Sequence, residues 1–261
     1  MLEVQDFVTS SQVGRVRHLT VDNPPRNQVS VEMLQRLAEL VGECEEDASV
    51  RAILLDSANQ TPVFAADGEA LIADPSWEAF FAVIREGQRA LSRIEFATKP
   101  VVMAIYDGVC MGGGLELALS CHVRVAGEAT VFSAPEAPAG GMPGWGNTQR
   151  LVKYFGRAKA IELALTGNQI TAAEAHALGA VNHVVPGGDV LSKAREIAEA
   201  IARMRTKSIA AIITSMNVPY RIGVAEGYAV EHERSMEIYD PDTFVPAIRA
   251  LFEGRTVEFS D

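Results

Sequence analysis

The sequence of 261 residues predicts an α/β fold with a largely parallel sheet. Short apolar runs such as residues 101–105 have the length and composition of buried strands, and segments with apolar residues at helical spacing separate them. Strands that alternate with helices along a chain are typical of α/β proteins, in which crossover helices connect parallel strands. After residue 185 the pattern becomes almost entirely helical, which predicts a helical region appended to a mixed core.

The first elements are a hairpin, a helix and a strand. Residues 4–9 and 13–21 alternate and are rich in β-branched side chains, so we expect two paired strands joined by a turn at residues 10–12. Ser30 stands where a helix N-cap is expected. Apolar residues follow it at helical spacing: Met33, Leu34, Leu37, Leu40 and Val41. Residues 51–55 then predict a short buried strand.

A second helix is expected to start at residues 74–76 (DPS) and to end before Lys99-Pro100. The strand at 101–105 follows it. The apolar positions of this helix include Trp77, Phe80, Phe81, Ile84 and Leu91.

The end of the chain predicts a separate helical region. Residues 186–189 (PGGD) resemble a linker, and helices are expected at 191–204, 207–216, 223–238 and 243–252. Several of these helices have apolar faces that a region of roughly 70 residues can hardly bury alone. A subunit interface is the simplest explanation. We therefore predict a core with the functional site at 1–188 and a helical oligomerisation region at 189–261.

Composition excludes several classes of function. The net charge of −11 argues against a nucleic-acid partner, because phosphate neutralisation requires clustered Lys and Arg. The three cysteines lack C-x-x-C spacing and the five histidines lack ligand spacing, so we expect free thiols and no metal site. The N-terminus does not resemble a signal peptide, and no apolar run reaches the ~20 residues of a membrane span. We expect a cytoplasmic protein without a membrane span.

The most informative segment is the loop with three consecutive glycines, Gly112 to Gly114, between the strand at 101–105 and an apolar helix. Glycines let backbone N–H groups approach a ligand closely, and a helix N-terminus favours negative charge. Glu116 follows among apolar neighbours, which would raise its pKa toward a value useful for proton transfer. The alternative is a helix-start glutamate favoured by the dipole alone.

A second carboxylate, Glu136, comes twenty positions after Glu116. It follows a predicted strand and a proline in residues 133–136 (SAPE), where a plain loop carboxylate is the alternative. Backbone donors with an acid/base pair beside them are what an oxyanion hole with proton transfer requires.

These two segments closely resemble the crotonase family, the enoyl-CoA hydratase/isomerase superfamily, and the resemblance extends from about residue 13 to 259. Residues 23–30 resemble the family's first turn, and residues 64–69 (FAADGE) occupy the place of its first oxyanion loop. Residues 143–151 (PGWGNTQRL) resemble the segment Pro-Gly-x-Gly-Gly-Thr-Gln-Arg-Leu. Residues 250–255 (ALFEGR) resemble the closing Ala-Phe-x-x-x-Arg stretch. Each segment is a weak signal alone, whereas their order and spacing are specific.

The resemblance implies a crotonase-type spiral of ββα units and a helical C-terminal region that builds homotrimers, often paired into hexamers. It implies that the N–H groups of Gly68 and Gly113 form the oxyanion hole. It also implies that Glu116 and Glu136 hold one water, delivering hydroxide to Cβ and a proton to Cα of a 2-enoyl-CoA. Simple isomerases of the family typically keep only the second acid. Coenzyme A is then part of the substrate, and no separate cofactor is expected.

By the same resemblance, Ala65, Ala66, Gly112 and Trp145 are candidates for substrate binding. Arg26 is a candidate contact to a CoA phosphate, and an ordinary surface arginine is the alternative. The chain also departs from the family pattern. Asp67 adds a charge beside the oxyanion loop, and Trp145 replaces a small residue, so it would reshape the acyl pocket unless it packs on the outer side of the loop. Asn147 replaces a glycine, and His122 stands where the family usually has Asp.

Two other functions remain open at this point. The first is different chemistry on the same fold, namely double-bond isomerisation, C–C hydrolysis or decarboxylation. Its substrate would include thioesters bound to a carrier protein. Such substrates need less phosphate recognition than CoA thioesters, and residues 69–78 contain no Lys or Arg. The second is a non-catalytic protein that binds acyl thioesters.

Overall fold

The structure, a computed structural model, describes residues 7–63, 65–68, 76–218, 223–253, 255 and 259. Within these ranges it has nine strands and ten helices, which confirms the α/β prediction. The strands are β1 Val8–Val13, β2 Val16–Val21, β3 Ala52–Ser57, β4 Val101–Ile105, β5 Gly108–Met111, β6 Val123–Gly127, β7 Thr130–Ser133, β8 Ile170–Thr171 and β9 His183–Val185. The helices are α1 Val31–Glu46, α2 Trp77–Glu95, α3 Gly113–Ser120, α4 Asn147–Phe155, α5 Arg157–Thr166, α6 Ala172–Ala177, α7 Val190–Ala202, α8 Thr206–Asn217, α9 Val224–Ile238 and α10 Pro241–Phe252.

The strands form two sheets. The larger has the order β1-β2-β3-β4-β6-β9, in which only the β1–β2 pair is antiparallel. The smaller has the order β5-β7-β8 and pairs β5 with β7 in parallel. Strands β4 and β5 and then helix α3 form one ββα unit, and β6, β7 and α4 repeat it. Each unit thus places one strand in each sheet before its helix begins.

The predicted turn of the first hairpin is wrong. Strands β1 and β2 pair Val13 with Val16, so Gly14 and Arg15 make the turn. Gly14 has a φ of +59°, a conformation that glycine adopts without strain. The serines and glutamine at 10–12 lie inside β1 and are exposed, and this solvated edge strand has the polar composition of a turn. Residues 4–6 of the predicted first strand lie outside the described residues.

Helix α1 agrees with its prediction. The hydroxyl of Ser30 accepts a hydrogen bond from the N–H of Met33 at 3.1 Å, which satisfies one of the free donors at the helix start. All the apolar residues predicted for its inner face are buried. The strand expected at 51–55 is β3, displaced by one to two residues.

Helix α2 begins after Ser76, whose hydroxyl accepts the N–H of Ala79 at 3.3 Å. Asp74 and Pro75 lie outside the described residues, as does the side chain of Trp77. Leu91 is fully buried, as its spacing predicts. Phe80 and Phe81, however, are 46% and 47% exposed, so the N-terminal part of this helix does not face the core.

Helix α7 packs on the main sheet. Its alanines at helical spacing, Ala194, Ala198 and Ala202, are buried in one cluster with Leu54 of β3 and Val102 of β4. Small side chains let the helix approach the sheet closely. The division of the chain at residue 188 stays a prediction, and the first helix after that point is part of a buried cluster.

Helices α7 to α10 confirm the four predicted C-terminal helices to within a few residues. Beyond α7 these helices leave large apolar side chains exposed, among them Met216, Tyr228, Met236 and Phe244. The homotrimer or hexamer that such faces suggest stays a prediction. Among the described residues, none of the helices has the length and hydropathy needed to cross a bilayer.

Candidate active site

One cavity of about 1090 Å³ brings the predicted site residues together. Every predicted site residue except Arg26 lines it: Ala65, Ala66, Gly68, Gly112, Gly113, Glu116, Glu136 and Trp145. The start of α3 forms one side of the cavity, and residues of α2 form another. Since these residues come from four separate segments of the chain, the fold itself assembles the site.

Glu116 lies in the first turn of α3 and is only 3% exposed. Its Oε1 accepts hydrogen bonds from the backbone N–H groups of Trp145 at 2.8 Å and Asn147 at 3.1 Å. Asn147 is the first residue of α4, so the carboxylate is held at the N-terminal ends of two helices. Burial nevertheless raises the pKa of Glu116 to about 7, because desolvation outweighs these hydrogen bonds.

A buried ion pair supports the loop that holds Glu116. Arg150, 4% exposed, donates from Nη1 to the carbonyl of Trp145 at 2.8 Å and from Nε to Oε2 of Glu95 at 2.8 Å. Lys153 donates to the other oxygen of Glu95 at 3.3 Å. The guanidinium therefore fixes the peptide segment whose N–H groups bind Glu116. Sequence reasoning missed this network, because Glu95 and Arg150 are 55 positions apart.

Glu136 lies in the loop after β7, half-buried at the wall of the cavity. Its Oε2 is buried and has no hydrogen-bond partner among the residues that the structure describes. Burial raises its pKa above the ordinary value for a glutamate. The side chain is therefore available to a ligand or a water in the cavity.

Gly113 stands where three parts of the site meet. It is the first residue of α3, so its N–H has no acceptor within the helix. A methyl group built on its Cα would lie 2.7 Å from Cζ3 of Trp145 and 2.9 Å from Cβ of Ala66. No side chain fits in that space. The glycine therefore lets Trp145 and Ala66 pack closely against the start of α3 at the cavity wall.

The segment 65–68 is fixed against the start of α1. The N–H of Val29 donates to the carbonyl of Ala65 at 2.7 Å, and the N–H of Asp67 donates to the carbonyl of Val29 at 2.9 Å. These bonds form a short parallel bridge between Val29 and Ala66. Gly68 follows it at the exposed edge of the cavity.

The residues that depart from the family pattern differ in where they lie relative to the cavity. Asp67 does not line the cavity, although its neighbours do. Trp145 is buried in the cavity wall, and its indole Nε1 donates to the carbonyl of Val83 at 3.1 Å. The alternative that this side chain packs on the outer side of its loop is therefore wrong. His122 is half-buried and does not line the cavity, and its Nδ1 accepts the N–H of Val101 at 3.1 Å. Burial lowers the pKa of His122 to about 4, which keeps its ring neutral.

Several lining residues were not predicted. Conversely, Arg26 was predicted to contact the substrate, but it is exposed and lies outside the cavity. The unpredicted set includes Phe80, Phe81, Ile84, Gln88, Met142 and Thr148. The adjacent Phe80 and Phe81 carried no distinct signal in the sequence, because adjacent helix residues such as Met33 and Leu34 of α1 can both be buried in one core.

The chemistry available in the cavity is acid/base chemistry next to backbone donors. Among the described lining residues, Glu116 and Glu136 are the only charged side chains. The described part of the chain contains no cluster of three or more His, Cys, Asp or Glu that could bind a metal ion. Two carboxylates with raised pKa values can move protons, and free N–H groups at a helix start can stabilise a developing negative charge.

Comparisons with known proteins identify a family and similar structures for this chain. A family model described as "Enoyl-CoA hydratase/isomerase" matches residues 12–261. A Bacillus subtilis protein named "Probable enoyl-CoA hydratase" is 32% identical over 92% of this chain and 93% of its own. The short-chain-enoyl-CoA hydratase of Clostridium acetobutylicum is 30% identical over 98% of both chains. The crystal structure of an enoyl-CoA hydratase from Bacillus anthracis superposes with a TM-score of 0.89 at 26% identity, covering 97% of this chain and 98% of that one.

Proposed function

Because the chain belongs to the enoyl-CoA hydratase/isomerase family, we propose that it adds water to a 2-enoyl-CoA thioester. The observation that carries the proposal is the presence of two carboxylates, Glu116 and Glu136, in one cavity that the start of α3 also lines. In the reaction the water oxygen bonds to Cβ, a proton is added to Cα, and the C=C bond becomes a single bond. The reverse reaction removes the same water.

The N–H groups of Gly68 and Gly113 would bind the thioester oxygen. When hydroxide adds to Cβ, the electrons of the double bond move toward Cα and the carbonyl, so negative charge develops on this oxygen. A donor placed there is worth about 10²–10³ in rate, because it stabilises the enolate more than the substrate. Two observations support this assignment: the N–H of Gly113 at the start of α3 has no acceptor within the helix, and Gly68 lies in the cavity wall.

The surroundings of the two glutamates support different roles. Glu116 receives two backbone N–H groups, and the charge of Arg150 also favours its ionised form, so it would accept a proton from the water. Glu136 has an unpartnered oxygen and a raised pKa, so it would deliver a proton to Cα. One proton enters Glu116 and one leaves Glu136. A proton then passes from Glu116 back to Glu136, which restores the starting protonation of both residues. The net change is the addition of one water to the substrate.

The charges in the cavity favour an uncharged acyl group. Both charged lining side chains are acids, and no Lys or Arg is found among the lining residues that the structure describes. A terminal carboxylate on the acyl chain would therefore meet repulsion. The phosphates of CoA would remain outside, where Arg26 is still a candidate contact. The exposed apolar faces of α8 to α10 suggest that the enzyme works as a homotrimer or hexamer.

The first test is to mix the purified protein with crotonyl-CoA, follow the loss of enone absorbance, and identify the product by mass. We expect rapid loss of absorbance and a product heavier by one water. A product of unchanged mass with a shifted double bond would instead establish an isomerase. If crotonyl-CoA and longer 2-enoyl-CoA thioesters all remain unchanged, the hydratase proposal is wrong and a binding protein is the better account.

The proposed role of Glu116 predicts an acid limb in the pH profile. Below its pKa of about 7 the carboxyl is protonated and cannot accept the proton of water. We therefore expect kcat/KM for crotonyl-CoA to fall as the pH is lowered from 7 to 5, tenfold per pH unit at the low end, and also to fall at higher pH, where Glu136 loses the proton that it delivers. Circular dichroism at each pH would show that the fold persists. A flat profile over this range would contradict the role of Glu116 as the base.

A further inference from the structure

The indole ring of Trp145 spans the cavity wall between two helices. Its pyrrole part covers Gly87 of α2: a methyl group built on Gly87 would lie 2.2 Å from Nε1, 2.4 Å from Cδ1 and 2.6 Å from Cε2. Its other edge reaches the start of α3, where Cζ3 would lie 2.7 Å from a methyl group on Gly113. The ring therefore fills space that is open because residues 87 and 113 are both glycines.

The position of the ring is fixed. The hydrogen bond from Nε1 to the carbonyl of Val83 prevents the indole from rotating away. Gly87 is buried and does not line the cavity, although its neighbours Ile84 and Gln88 do. The indole thus separates Gly87 from the cavity. Replacing Trp145 by a small residue would open the wall toward α2.

The wall lies next to the reacting carbons. In the proposed function, which this inference extends, the thioester oxygen binds at Gly113 and the double bond lies near Glu116. One edge of the ring packs against Gly113, and the backbone N–H of Trp145 donates to the carboxylate of Glu116. Three other lining side chains, Phe80, Phe81 and Met142, are well exposed, so the cavity opens to solvent at these residues. Trp145 is therefore placed to limit the width of the acyl group near the double bond, and not its length.

We propose that Trp145, seated on Gly87, is a specificity-determining residue that selects slender, unbranched acyl groups and excludes groups that are broad at Cβ. A straight 2-enoyl chain passes beside the indole, whereas an aryl or branched substituent at Cβ meets it. Chains of different length share the same width at this point. The length of a straight chain is therefore expected to have a smaller effect than its width.

The test compares kcat/KM for crotonyl-CoA, trans-2-octenoyl-CoA and cinnamoyl-CoA, which carries a phenyl group on Cβ. We expect the wild type to favour both straight chains over cinnamoyl-CoA. Trp145→Ala should raise the ratio of cinnamoyl- to crotonyl-CoA activity by on the order of tenfold or more, and Trp145→Phe by less. The octenoyl to crotonyl ratio should change little. Wild-type preference for cinnamoyl-CoA, or an unchanged ratio in both variants, would overturn the inference.

Binding separates this inference from the proposed reaction. Calorimetric titration with butyryl-CoA and 3-phenylpropanoyl-CoA needs no turnover. If the wild type hydrates nothing, the proposed function fails, yet the width limit still predicts that Trp145→Ala gains affinity for the phenyl compound relative to butyryl-CoA. If the wild type hydrates crotonyl-CoA and no relative affinity changes, only the width limit is wrong.

A double-mutant cycle tests the contact between the ring and Gly87. Gly87→Ala should lower Tm, because its methyl group displaces the indole. In the Trp145→Ala background the same substitution should not lower Tm, since the nearest atoms all belong to Trp145. Gly42→Ala is the matched control: it lies inside helix α1, and its methyl group would meet only the flexible end of Arg93, at 3.3 Å. Equal losses of Tm in both backgrounds would contradict the seating of the ring on Gly87.

Discussion

Replacing Glu136 with glutamine is expected to lower kcat for hydration of crotonyl-CoA by about 10²–10⁴-fold, because an amide cannot deliver a proton to Cα. The fold should persist. Oε2 of Glu136 has no hydrogen-bond partner among the described residues, so the substitution removes no contact of that oxygen. Binding of the saturated analogue butyryl-CoA should change little. Steady-state kinetics, calorimetric titration and a thermal melt measure the three quantities.

A suitable control for this substitution is Glu128→Gln. Glu128 is exposed, follows β6 and does not line the cavity. Its replacement should leave kcat within about twofold, as for a surface substitution away from any special feature. A near-normal rate in Glu136→Gln would remove this residue from the mechanism and favour a single-carboxylate reaction at Glu116.

Replacing Glu116 with glutamine is expected to abolish turnover as well, and at the same time to make the protein more stable at pH 8. The amide oxygen can still accept the N–H groups of Trp145 and Asn147, so the loop keeps its anchor. The buried negative charge, however, is removed. Burial raises the pKa of this carboxyl from 4.5 to about 7, which corresponds to roughly 3 kcal/mol against the ionised form in the folded state.

The sign of this effect depends on pH. Between pH 4.5 and 7 the folded protein binds a proton at Glu116 that the unfolded chain releases, so the stability of the wild type falls as the pH rises through this window. The glutamine variant lacks this dependence. Thermal melts should therefore show the variant above the wild type at pH 8, and the difference should shrink as the pH approaches 4.5. A Tm gap of the same size at pH 8 and pH 5 would contradict the burial of an ionisable charge at this position.

Much of the fold could be predicted from local patterns. The N-cap at Ser30, the buried face of α1 and the four C-terminal helices all follow from short-range rules of spacing and capping. The crotonase-type fold, expected from motifs in order along the chain, is confirmed by the superposition on a known enoyl-CoA hydratase. The hairpin turn was wrong because an exposed strand and a turn share polar composition, so that Gly14 was the better signal.

The surroundings of the site could not be predicted in the same way. Sequence motifs indicate Glu116, but its two hydrogen-bond donors are backbone groups, and a backbone group has no residue type to recognise. The ion pair that fixes them joins Arg150 to Glu95 in another helix. The outward direction of Phe80 and Phe81 depends on what packs against α2. Each of these features is set by tertiary structure and not by local spacing.

The hydrogen bonds to Glu116 also have a consequence for how such an enzyme can diverge. Every amino acid except proline supplies a backbone N–H, so positions 145 and 147 can mutate without withdrawing either donor. The side chain at 145 lines the cavity, whereas the peptide at the same position holds the glutamate. If Trp145 limits the acyl group as proposed, a single codon changes which substrates are accepted while the peptide that holds Glu116 is retained.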